Sequence, residues 1–235
     1  TRAYEFSVGD MDDGYVVEET VHPSTGLMVS YAKFTTEYGT HVSFKNGVWN
    51  AEDEEYDSDV LKVINLSMLK SHSVYGATAS VKNYMGVPSD PLTGEISGEY
   101  LNTHRTIGRG GMGTLMVNTR YPVLNIIDSI WINPIPMSGP WTPYRTATQV
   151  NIITASLDPI ALDYWAVKYI LLQNWENRSG EVSVSMDPDN ADSNDPGFFG
   201  MWIRLSMDEI EKGGYDVNIE ESHMNVFIAE NPATQ

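Results

Sequence analysis

"VLKVINLS", residues 60–67, is a run of β-branched and aliphatic residues closed off by polar chain on both sides. Such a run reads as a buried strand, and a strand apolar throughout fits a parallel sheet covered on both faces. Lys70 and His72 then fall just past its C-terminal end. In open α/β sheets that is where ligands bind.

The chain on either side supports an alternation of strands and helices. Upstream, residues 13–66 read as short strands, "YVVEETV", "LMVSYAKF" and "HVSFKNGVW", before an acidic stretch, "AEDEEYDSD", expected to be a solvated loop. Downstream, Ser73 to Tyr84 reads as a loop entering a short helix that stops at Gly86, and "VPSDPLTGEISGEY" as a turn-rich excursion. "GRGGMGTLMVNTRY" is a glycine-rich approach to a helix, followed by the strands "PVLNIIDSIWI" and "QVNIITAS" on either side of a proline-rich loop. Asp158 and Pro159 then form a helix start, N-cap and first position. The expected fold is α/β, a mainly parallel sheet flanked by helices, with an irregular C-terminal extension. The α/β domain spans 1–178, and the extension, 179–235, packs on it and closes with the strand "HMNVFIAE".

Composition narrows the function. The net charge of −18 argues against nucleic-acid partners, which require a cationic face. It leaves room for a small anionic ligand, because a site's local potential can oppose the protein's total. No apolar run reaches the length of a membrane span. With no cysteine, the chain offers neither disulfides nor thiolate ligands. It opens "TRAYEFSVGDMDDGY", without initiator Met or signal-peptide pattern, and reads as the interior of a longer polypeptide, with export slightly favoured.

Against this acidity, the cations of "LKSHSVYGATASVKNYMG" (69–86) stand out. Lys70, His72, Lys82 and Asn83 can gather two cations, an imidazole and an amide around a phosphate, carboxylate or enolate. Alternatively, a lysine desolvated among Gly, Ala and Val can act as base or nucleophile. His104 and Arg105, with Arg109, precede near-consecutive glycines able to cradle an anion, though neither a P-loop nor GxGxxG is matched. Asp128 ends an apolar strand, and Asp163, among apolar residues one turn into its helix, is placed to pair with a lysine and set its protonation. "DPDNADSNDPG" (187–197) is dense in carboxylates but lacks EF-hand spacing. "FFGMWIRLSM" reads as core or interface. No metal set and no hydrolase signature is present, and no cofactor is implied by a motif.

The order of these pieces resembles a widespread prokaryotic family, domain of unknown function 362. That family shows a strand ending Lys-Thr-His, a Thr-Gly-x-x-Lys-Asn-x-x-Gly block, an Asp-Gly-Ile with a following Gly-Pro, and an Asp-Pro-x-Ala-x-Asp helix start. Here Lys70-Ser71-His72, Thr78 with Lys82-Asn83 and Gly86, Asp128 with Gly139-Pro140, and Asp158-Pro159-Ala161-Asp163 take those places, over roughly residues 60–172. Ser71 for Thr and Ser129 for Gly are departures of small consequence. By this resemblance the family's N-terminal segment is expected to be missing here. Relatives often carry export signals or ferredoxin-like modules, but no iron–sulfur cluster is ligated by this cysteine-free chain. More remotely, the order His72, Lys82, His104 is similar to lactate racemases that carry a nickel-pincer nucleotide on a lysine, with a longer gap before the last histidine and a poorer glycine content.

The resemblance implies a catalytic or ligand-binding domain for a small anion. Lys70 and Lys82 would bind or polarise it, His72 would serve as acid–base, Asn83 would orient it and Asp163 would tune a lysine. The alternative is an exported, non-enzymatic binding or assembly protein that retains the fold. Association as a homo-oligomer, or with a missing N-terminal segment, is compatible with either.

Overall fold

In the computed structural model, which describes residues 3–98, 102–141 and 143–230, the N-terminal strands form an antiparallel meander. Strands β1 (Gly14–Val21), β2 (Met28–Thr35), β3 (His41–Ser43), β4 (Gly47–Asn50) and β5 (Glu55–Asp57) lie side by side in chain order. Short loops permit nothing else, since a parallel neighbour requires a long crossover. Part of the acidic stretch expected to be a loop becomes β5, an exposed edge strand. Charged residues suit an edge because they discourage further pairing.

The second sheet is made by β6 (Ile64–His72), β7 (Gly76–Thr78), β8 (Leu124–Asn133) and β9 (Thr148–Ser156), in the order β7-β6-β8-β9. Only β6 and β8 are parallel; β7 pairs antiparallel with β6, and β9 with β8. The expectation of a mainly parallel sheet is thereby overturned. The fold is α/β in general, with one antiparallel sheet and one mixed sheet. Connection lengths explain the outcome. Helices α1 (Ser80–Asn83), α2 (Asp90–Ser97) and α3 (Gly111–Asn118) lie in the long crossover from β6 to β8. The loop Ser73–Tyr75 allows only a hairpin, and the proline-rich loop before β9 contains no crossover helix.

Helix α2 replaces the expected turn-rich excursion. Asp90 and Pro91 occupy its first positions, and Gly98, in the left-handed region, ends it. Helix α4 (Pro159–Ala166) starts as expected, with Asp158 accepting from the N–H groups of Ile160 (2.8 Å) and Ala161 (3.0 Å). It continues through a π-helical stretch, Val167–Leu172, into α5 (Gln173–Ser179). The C-terminal part is less irregular than expected. It contains α6 (Phe199–Lys212), whose Phe199, Trp202 and Ile203 are fully buried, so the aromatic-rich stretch is core. The expected last strand does not form; residues 224–230 follow a short helical turn without regular structure. No helix of the described residues is long and apolar enough to cross a membrane.

The second sheet is covered by helices on one face only. Toward them point Asn65, Ser67, Asn125 and Ser129, all buried, together with Leu69 and Ile127. Outward point Ile64, Leu66 and Met68, each more than half exposed. The run read as uniformly buried is therefore two-sided, with its more apolar row facing out.

Candidate functional site

His72, the last residue of β6, is nearly fully buried. Its Nδ1 accepts the backbone N–H groups of Val74 and Tyr75, both at 3.1 Å. A nitrogen that accepts two N–H groups carries no proton, so the neutral ring holds its hydrogen on Nε2. That Nε2 lies 3.3 Å from His104 Nε2. His72 therefore donates, and His104 accepts. Burial, followed by the charges of Lys82, His104 and Lys70, pushes the His72 imidazole down to about 3. Burial and Lys82 lower His104 as well, with Asp90 opposing.

Lys82 stands on α1 and is 6% exposed. Desolvation, then the charge of Lys70, lowers its ammonium to about 8. Its Nζ contacts the thioether of Met85 at 3.3 Å, and no salt bridge joins Lys70 or Lys82 to a carboxylate among the described residues. Lys70 is half-buried in β6 and pairs across with Thr78 of β7. The buried Thr78 Oγ1 lacks a hydrogen-bond partner among the described residues. A buried hydroxyl left unpaired is costly, and a ligand oxygen would satisfy it.

Helix α1 is too short to stabilise itself and is held by distant residues. Asp163, fully buried on α4, accepts the N–H of Ser80 on Oδ1 and of Val81 on Oδ2, both at 2.8 Å. It caps α1 rather than pairing with a lysine. Burial raises its carboxyl to about 8, against the pull of those two N–H groups. Asn83 donates to Asn65 Oδ1 (2.8 Å) and the Leu66 carbonyl (3.1 Å), so both amide hydrogens anchor α1 to β6. Below it, Asn65 Nδ2 lies 2.9 Å from Ser80 Oγ and 3.0 Å from Asn125 Oδ1. Asn65, Ser80 and Asn125 were not singled out from sequence. The one signal was their polarity inside otherwise apolar strands.

The remaining candidates divide. Tyr75 packs edge-on against His104, centroids 4.7 Å apart, and Arg105 is exposed beside Tyr75, whose hydroxyl burial pushes up while Arg105 pulls it down. Asp128 turns back on its own strand, Oδ1 accepting the N–H of Ile130 at 2.8 Å, and is not part of the histidine–lysine cluster. The glycine-rich stretch serves packing. A Cβ on Gly110, whose φ is +86°, would meet the Leu205 carbonyl oxygen at 2.4 Å, and one on Gly113 would meet that of Ser206 at 2.1 Å. Those glycines let α3 approach α6. Trp202 of α6 donates its indole N–H to the Tyr75 carbonyl at 2.8 Å, tying the C-terminal helix to the loop that fixes His72. Among the described residues, no group of three or more His, Cys, Asp or Glu side chains converges as a metal set.

Neither the curated proteins nor the solved structures yield a match to this chain. Residues 28–168, more than half of the chain, match the family model described as "Domain of unknown function (DUF362)", reaching well upstream of the four sequence blocks to include β2, and the chain belongs to that family.

Proposed function

We propose that the chain binds a small anion between Lys70, His72 and Lys82 and acts on it there. The observation that carries this reading is the company of Lys82. It is a buried amine set against the charge of another lysine, Lys70, in a chain of net charge −18. An ammonium placed so is stabilised by a bound anion and by little else. The buried, unpaired Thr78 hydroxyl opposite Lys70 points to the same ligand.

The roles differ from those the motifs imply. With its proton on Nε2 and its affinity for a second one low, His72 serves as a hydrogen-bond donor. Lys82, poised near neutrality, is the group able to take and return a proton. Asn83 and Asp163 act indirectly, by positioning α1.

Thermal unfolding of the full chain at low salt, with phosphate, sulfate, oxalate or lactate at millimolar concentration, tests the reading. A rise in Tm with at least one of them, lost in Lys82→Met and weakened by salt, is expected. A flat response to all four would overturn it. An intact mass showing an adduct on Lys82 would instead favour the racemase-like chemistry. The alternative of a binding or assembly protein draws on a different feature, the open face of the second sheet.

A further inference from the structure

In the second sheet, Leu66 of β6 lies in register with Ile126 of β8, and Ile126 with Ala155 of β9. The outward row across these strands is aliphatic apart from Asp128, which lies in register between Met68 and Ile153. Ile64 is 59% exposed, Leu66 64%, Met68 53% and Ile153 64%, and Leu157 just past β9 is 71% exposed. The polar row is the one buried under the helices. A parallel pair such as β6–β8 is normally covered on both faces. The exposed aliphatic area is on the order of 500 Å², at the top of what a monomer leaves bare. With its partly exposed margin it approaches the ~800 Å² per partner of a stable complex.

Charge selects the occupant. Residues 60–70, 123–133 and 148–157, which supply the face and its edges, contain Lys62, Lys70 and Asp128 as their only charged side chains. The acidity of the chain lies elsewhere. A basic partner would find its attraction outside this face, and an anionic lipid surface would be repelled by the chain as a whole. A second copy presents the same aliphatic surface and brings Asp128 as the single like charge to its centre.

We propose that two copies of this chain pack through the outward face of β6, β8 and β9, sheet against sheet, about a two-fold axis. Lys70 follows Met68 in the same outward row, so the rim of the contact borders the candidate anion site. The inference stands independently of what that site binds.

Sedimentation velocity of the full chain between about 1 and 100 µM tests it. A dimer is expected. Leu66→Glu and, separately, Ile153→Glu should weaken it about 30-fold or more while leaving the far-ultraviolet circular dichroism unchanged, because both side chains already face water. A monomer across that range overturns the proposal. So does a dimer indifferent to Ile153→Glu, an edge-strand change, should Leu66→Glu fail to fold. Binding of wild-type monomer to phosphatidylcholine vesicles, abolished by Ile153→Glu, would assign the face to lipid instead.

Discussion

His72 and His104 meet nitrogen to nitrogen, Nε2 to Nε2 at 3.3 Å, and a single proton serves them both. Adding a second would set two N–H groups against each other and place a new cation beside Lys82 and Lys70. This fixes a sign for the pH dependence of stability. The folded His72 stays neutral down to about 3, whereas the unfolded chain takes up its proton near the ordinary value of 6.5. The stability contributed by neutral His72 is full above about 6.5 and is lost as the pH falls toward 3. His72→Gln removes that loss. Between about pH 7.5 and 5.5, its stability relative to wild type should rise by about 1 kcal/mol in urea unfolding. Parallel profiles for the two proteins would refute the locked, neutral ring.

Asp163 titrates in the opposite sense. Its folded carboxyl, raised to about 8, gains its proton before the unfolded one does, so its contribution grows as the pH falls from about 8 toward 3.8. Asp163→Asn abolishes this and leaves one of the two N–H groups of Ser80 and Val81 facing an amide instead of an oxygen. A loss of about 1–3 kcal/mol near pH 4, shrinking as the pH rises toward 8, is expected from chemical denaturation. A change under about 0.5 kcal/mol would mean that α1 does not depend on this cap.

Lys82 offers a direct spectroscopic check. After reductive methylation with a ¹³C-labelled reagent, its methyl resonance should titrate with a midpoint near 8, below the ordinary lysine value. Lys70→Met removes the like charge, so the midpoint should move upward. A wild-type midpoint above 10 would show a solvated amine and remove the basis for its role as proton carrier.

Sequence revealed what depends on local rules. The start of α4 was legible because Asp158 and Pro159 satisfy helix-end chemistry within three residues. Lys70, His72, Lys82 and His104 were singled out from their residue types and order, and the fold brings their surroundings together: His72 touches His104, and burial with Lys70 lowers Lys82. Partners across the chain were not legible. Nothing near Asp163 indicates that its acceptors are met by Ser80 and Val81, and a lysine was the natural guess for a carboxylate among apolar residues. The direction of β9 was missed because strand periodicity is the same in both directions; only the missing crossover helix decides it. The faces of β6 were misassigned for a related reason. "VLKVINLS" reads as one apolar run, yet Asn65 and Ser67 within it form the buried row.

That inversion has a consequence for how β6 finds its place. A slip by one residue would exchange its two faces and bring Ile64, Leu66 and Met68 under the helices. Hydrophobicity alone favours the slipped pairing. What opposes it is the ladder of amides, Asn83 to Asn65 and Asn65 to Asn125, which closes in one alignment only. The strand is thus held to its native alignment by side chains on three separate elements. The ladder is complete only with α1 docked, because Asn83 is one of its members.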